Sequence, residues 1–117
     1  MENKYYQRPL RKQLILSLEV LDQHTKALLG HLGDISKNGM MIFTEQPLIF
    51  DSFKDVSIQL HDLEEFSQKT LDCKVKARWA KPDVNPKIHC IGCEFTNISA
   101  ENLTLIEQLQ DVLGFND

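Results

Sequence analysis

The chain has 117 residues and a formal net charge of −4, which is the size of one domain and gives no reason to expect binding to nucleic acid. Its 42% hydrophobic and 26% charged residues are ordinary for a globular protein, and its apolar runs are too short to cross a bilayer, so we expect no membrane insertion. Three cysteines without an export signal predict reduced thiols and a cytoplasmic location.

The first twelve residues predict a flexible basic arm. No acidic residue occurs from position 3 to position 13, and the cations of this segment are Lys4, Arg8, Arg11 and Lys12. A short cationic segment on an acidic body suits a small, highly charged anion. A solvated chain terminus would have the same composition, so the arm by itself does not decide between these two interpretations.

Alternation of apolar and polar residues predicts six β-strands. In the first, every second residue from Leu14 to Val20 is apolar, as expected for a strand with one buried face. In the second, Gly30 and Gly33 are the expected sites of a bulge or bend. The predicted strands are residues 13–21, 26–32, 40–44, 56–61, 70–80 and 88–95.

The segment Asp34-Ile35-Ser36-Lys37-Asn38-Gly39 separates the second and third predicted strands. Asn38-Gly39 predicts a hairpin turn, because both residues tolerate the positive φ that tight turns require. Asp34 and Ser36 are two residues apart, so both would lie on one face of an extended chain. A carboxylate accepts two parallel N–H donors, which suits the edge of a guanine base. The alternative is that both side chains cap their own backbone.

The fifth predicted strand leaves two interpretations of Trp79. Strict alternation puts its indole on the same apolar face as Leu71, Cys73, Val75 and Ala77, which predicts a position in the core. Because Trp79 comes near the end of the strand, the alternative is that the indole faces a ligand and stacks on a base.

The last part of the chain changes from strand to helix periodicity. Ser99 is a suitable N-cap and Gly114 a natural C-terminal stop. Apolar residues recur between them at helical spacing: Leu103, Ile106, Leu109 and Leu113. Six strands followed by one helix, at about residues 99–113, predict a mainly β fold, a small barrel with the helix packed on it.

The order and spacing of the polar motifs resemble those of the PilZ domain family. That family combines Arg-x-x-x-Arg with a later Asp/Asn-x-Ser-x-x-Gly, and Arg8 is followed here by Asp34, Ser36 and Gly39 at similar spacing. The resemblance covers nearly the whole chain. It implies a six-stranded antiparallel PilZ-type β-barrel with a C-terminal α-helix over residues 13–117, and it implies cyclic di-GMP as the ligand.

The same resemblance implies that the arm and the hairpin form one binding site. Arg8 and Lys12 would take the two arginine roles, although Lys12 is a lysine where the family has arginine, and Arg11 stands beside it. Asp34 and Ser36 would contact a guanine edge. The predicted residues of the cyclic di-GMP site are Arg8, Arg11, Lys12, Asp34, Ser36, Gly39 and Trp79.

The function implied by the resemblance is that of a receptor or adaptor, not an enzyme. The domain would order its arm on the ligand and signal to an unidentified partner protein. The lysine at position 12 favours an alternative, a PilZ-like protein-interaction domain with weak or no nucleotide binding. A barrel that binds single-stranded nucleic acid also fits the fold class, but the acidic net charge and the few aromatic residues argue against it.

No sequence motif predicts catalysis, a cofactor or a metal site. The chain has no P-loop, no HExxH and no nucleophile elbow. Cys90 and Cys93 form a single C-x-x-C, and a zinc site of this type normally needs a second pair of ligands. Their odd separation would also put the two thiols on opposite faces of a strand.

Overall fold

A computed structural model describes residues 18–45 and 53–114 of the chain. The elements are β1 Glu19–Asp22, β2 Leu28–Ile35, β3 Gly39–Thr44, β4 Lys54–Gln59, β5 Thr70–Pro82, β6 His89–Thr96 and α1 Ala100–Leu113. The strands pair in antiparallel fashion and close a barrel in the order β1-β2-β3-β6-β5-β4. The predicted fold class is therefore confirmed. The predicted arm and the start of the first predicted strand lie outside the described residues.

The core is built from the apolar residues that the alternation pattern predicted. The interior positions of the barrel with no solvent exposure include Val20, Ile42, Val56, Ile58, Leu71 and Val75. The helix adds a buried stripe to the same core, formed by Leu105, Ile106, Leu109 and Leu113. Because a fully buried aliphatic side chain contributes roughly 1.5–3 kcal/mol, this stripe is what holds the helix on the barrel.

Both ends of α1 have the caps that the sequence predicted. Ser99 Oγ accepts a hydrogen bond of 3.0 Å from the N–H of Asn102. Gly114 has a φ of 77° and donates its N–H to the carbonyl of Gln110 at 2.8 Å. Glycine adopts this left-handed conformation without the steric cost of a Cβ, so the helix ends there.

Two β-bulges reverse the inside–outside alternation near the ends of β2 and β5. In β2 the register with β3 shifts at Gly33, one of the two predicted bulge sites, so that Asp34 faces outward and Ile35 faces the core. In β5 the register with β6 shifts at Arg78, just before Trp79. A bulge adds one unpaired residue to a strand, so the residues after it lie on the faces opposite to those given by simple counting.

The turn between β1 and β2 is organised by the carboxylate of Asp22. Its Oδ1 accepts hydrogen bonds from the N–H groups of His24 at 2.8 Å and Thr25 at 3.0 Å, and its Oδ2 lies 2.9 Å from Lys54 Nζ. The N–H of Thr25, the Lys54 ammonium and the N–H of His24 all favour the charged carboxylate. They hold the pKa of Asp22 well below its ordinary range.

Asp22→Asn is expected to destabilise the barrel at neutral pH and to remove part of its sensitivity to acid. The unfolded carboxyl takes up a proton near about pH 4, while the folded one stays charged, so this stabilisation is present above about pH 4 and is lost as the pH falls. Urea unfolding at pH 7 should therefore give a lower free energy of unfolding for the variant than for the wild type, and this difference should be smaller at pH 3. An equal gap at both pH values would contradict the prediction, and Asp62→Asn on an exposed loop is the control.

Candidate functional site

The segment between β2 and β3 forms the hairpin that the sequence predicted, but with a different turn. The N–H of Ser36 donates to the carbonyl of Gly39 at 2.8 Å, and the N–H of Gly39 donates back to the carbonyl of Ser36 at 3.3 Å. The expected positive φ at Asn38-Gly39 is wrong, since neither residue has one. β2 also continues to Ile35, beyond its predicted end, because the bulge at Gly33 lets its last residues pair with β3.

Gly39 is required by close strand packing and not by its own dihedral angles. It lies opposite Glu94 in the β3–β6 ladder, and a Cβ on Gly39 would overlap the backbone carbonyl oxygen of Cys93. The motif glycine therefore lets β3 approach β6 at the end of the barrel where Asp34 and Ser36 lie.

Asp34 and Ser36 are both exposed on the outer side of the hairpin, as the two-residue spacing predicted. Asp34 Oδ1 accepts a hydrogen bond of 2.8 Å from the N–H of Ile35, and Ser36 Oγ accepts one of 3.3 Å from the N–H of Asn38. Both side chains thus cap local backbone. Each oxygen of a carboxylate or hydroxyl can accept more than one hydrogen bond, so this capping leaves capacity for a ligand.

A row of paired residues crosses the outer face of the barrel from Asp34 to Trp79. Asp34 pairs with Met41, Met41 pairs with Gly92, and Gly92 pairs with Trp79. Four neighbouring strands, β2, β3, β6 and β5, each contribute one residue. With about 4.8 Å between neighbouring strands, the ends of the row are about 14 Å apart along the backbone.

Trp79 lies on the outer face, and the predicted core position is wrong. The bulge at Arg78 adds one residue to β5 before Trp79, so the indole leaves the face that carries Leu71 and Val75 and is 45% exposed. It lies across Gly92, where any Cβ would overlap the ring. The indole therefore lies against the sheet at Gly92, and it lines the same pocket as Met41.

Asp34, Ser36 and Trp79 line one open pocket of about 190 Å³. Its remaining lining residues are Ile35, Gly39, Met40 and Met41. Two larger pockets, of about 420 and 290 Å³, lie elsewhere on the surface. The smaller pocket is the candidate site because hydrogen-bonding groups and an exposed aromatic ring meet there.

Leu18 lies against β2, near the hairpin that carries Asp34. The N–H of Leu32 donates to the carbonyl of Leu18 at 2.8 Å, and Leu32 is only two residues before Asp34 in β2. Arg8, Arg11 and Lys12 lie outside the described residues, so their place at the site stays a prediction. Met41 lines the pocket and Gly92 contacts the indole of Trp79, but neither was predicted, because only the pairing of distant strands brings them there.

The model of the PilZ domain family matches residues 4–111 of the chain. The chain belongs to the PilZ domain family. Among solved structures, this PilZ domain is similar to the Bacillus subtilis inhibitor of motility (MotI/DgrA), with 19% sequence identity and a TM-score of 0.64 over 79% of the present chain and 44% of that one. At this identity the likeness concerns the fold, and the present chain spans less than half of that structure. No curated protein matches in sequence.

In this PilZ domain, Cys90 and Cys93 lie on opposite faces of β6, as their spacing predicted. Cys93 faces the core, as Cys73 does, and burial raises the pKa of both thiols to about 12. Cys90 lies on the opposite face of β6, outside that core. Within residues 18–45 and 53–114 there is no group of three or more metal-ligating side chains. The described part of the chain also contains no helix long and apolar enough to span a bilayer.

Proposed function

We propose that this PilZ domain is a receptor for cyclic di-GMP. The observation that carries the proposal is the shared pocket of Asp34, Ser36 and Trp79. A guanine edge presents an N–H and an NH₂ side by side, which match a carboxylate that accepts two hydrogen bonds. A purine that binds Asp34 in this way extends toward the exposed indole, on which it can stack.

The basic arm would supply the charge that the pocket lacks. Asp34 is itself negative and cannot bind the phosphates of an anionic ligand, so cations must come from elsewhere. The arm carries Arg8, Arg11 and Lys12, and Leu18, which follows the arm along the chain, is hydrogen-bonded to Leu32 of β2. Arginine binds phosphate with two parallel hydrogen bonds and also stacks on purine rings, so the arm suits a ligand with two phosphates and two guanines.

Signalling would follow from ordering of the arm. A cationic segment that closes over the ligand changes the surface beside the hairpin, and a partner protein can recognise that change. The domain would then act as an adaptor whose output is the affinity for its partner. A pull-down of one partner with and without nucleotide separates this function from nucleotide-independent protein binding, which the lysine at position 12 favours.

Isothermal titration calorimetry with cyclic di-GMP tests the proposal directly. We expect a dissociation constant of roughly 1 μM or lower, with GTP as the control for selectivity. Arg8→Ala should abolish most of the binding. The proposal is rejected if the unmodified protein gives no heat of binding at several hundred micromolar cyclic di-GMP.

Lys12→Arg is expected to tighten cyclic di-GMP binding roughly tenfold. The guanidinium forms two parallel hydrogen bonds to a phosphate where the ammonium acts as a point charge, a difference of about 1–2 kcal/mol. Lys4→Arg is the matched control, because it makes the same change outside the motif. Equal affinity of Lys12→Arg and wild type would mean that position 12 does not contact the ligand.

A further inference from the structure

Lys81 lies next to the candidate site, although no motif includes it. In the β5–β6 ladder Lys81 pairs with Cys90, one step along the outer face from the pair of Trp79 and Gly92. Its ammonium lies over the indole of Trp79, 5.1 Å from the ring centroid. The sheet backbone at Gly92 occupies one side of that ring, so the lysine and an incoming base would compete for the indole surface that remains.

The charge of Lys81 is available to a ligand. Lys54, Lys74 and Arg78 each form an ion pair with a carboxylate. Among the described residues, no carboxylate lies within ion-pair distance of Lys81 Nζ, and its neighbour is the aromatic ring. A cation–π contact at an exposed site is weak and is easily exchanged for a stronger ionic one.

We infer that Lys81 is a phosphate-binding residue of this site, held on the Trp79 indole while no nucleotide is bound. The inference rests on the proposed binding of cyclic di-GMP. A base that stacks on the indole displaces the ammonium, and the flexible lysine side chain then pairs with a phosphate of the same ligand. Lys81 would therefore contribute charge from β5, on the side of the pocket opposite the hairpin.

The test is a titration of the full chain with cyclic di-GMP, followed by the fluorescence of Trp79, the single tryptophan. Lys81→Gln is expected to weaken binding roughly fivefold to tenfold, and Lys81→Arg to retain it. The matched control is Lys87→Gln. It removes one positive charge from the exposed connection between β5 and β6 and leaves the contact between Lys81 and the indole in place.

Salt dependence distinguishes an ionic role from a packing role. Salt screens exposed charges over about 10 Å at 0.1 M. The difference in affinity for cyclic di-GMP between Lys81→Gln and the wild type should therefore become smaller as the salt concentration is raised. Unchanged or tighter binding by Lys81→Gln would overturn the inference, since tighter binding means that the lysine only competes with the base. If the wild type gives no response, the proposed function fails and the role of Lys81 fails with it.

Discussion

Asp34→Ala is expected to weaken cyclic di-GMP binding roughly 100-fold and to leave the stability of the barrel nearly unchanged. A pair of hydrogen bonds to a charged carboxylate contributes about 3 kcal/mol, which corresponds to this loss. The carboxylate is exposed, and its one described hydrogen bond is to the adjacent N–H of Ile35, so the fold depends on it little. Calorimetry and urea unfolding measure the two effects separately.

Two further variants test whether the loss of binding in Asp34→Ala is due to the missing oxygen acceptor at this position. Asp34→Asn keeps an oxygen acceptor of the same shape, and asparagine occurs at this position in the family pattern, so it should bind better than Asp34→Ala. Asp62→Ala removes an exposed carboxylate from a loop outside the pocket and should bind like the wild type. Wild-type affinity in Asp34→Ala would show that the hairpin carboxylate takes no part in recognition.

Gly39→Ala is expected to lower the free energy of unfolding by about 3 kcal/mol. The added methyl group would overlap the carbonyl oxygen of Cys93, which belongs to the backbone of β6 and cannot rotate away. Strands β3 and β6 would have to separate, and overpacking of this kind costs about 1–3 kcal/mol and sometimes more. Urea unfolding measures this loss of free energy, and the dependence of the free energy of unfolding on urea concentration should be the same in variant and wild type.

Gly92→Ala is the matched control, because it places the same methyl group against a side chain instead of backbone. The overlap there is with the indole of Trp79, which is exposed and can turn away from the sheet. This variant should keep nearly wild-type stability while the fluorescence of Trp79 changes. Equal destabilisation by the two substitutions would mean that the Gly39 contact with β6 is not what makes that glycine necessary.

Sequence patterns predicted the elements well where local structure follows from local residues. The alternation of apolar residues located all six strands, and the cap at Ser99, the apolar stripe and the stop at Gly114 located α1. The hairpin was predicted correctly from Asn38-Gly39, but for an incorrect conformational reason. The predicted end of β2 came too early in the chain. The alternation of apolar residues does not show how far a bulge extends the pairing of β2 with β3.

The composition of the candidate site depended on contacts between strands far apart in sequence. Trp79 lies on the outer face because of the bulge at Arg78. The alternation of apolar and polar residues does not reveal such an extra residue in a strand. Met41 and Gly92 come together at the candidate site because β3 pairs with β6, which follows it only after two other strands.

By itself, the sequence determined a barrel with a capped C-terminal helix and an exposed pair of Asp34 and Ser36 on a hairpin, because periodicity and capping depend on neighbouring residues. The tertiary structure alone decided that Trp79 shares a pocket with that pair and that Gly39 is needed for its contact with β6. These features depend on the register between strands, which is fixed by packing across the closed barrel and not by the residues of any one strand.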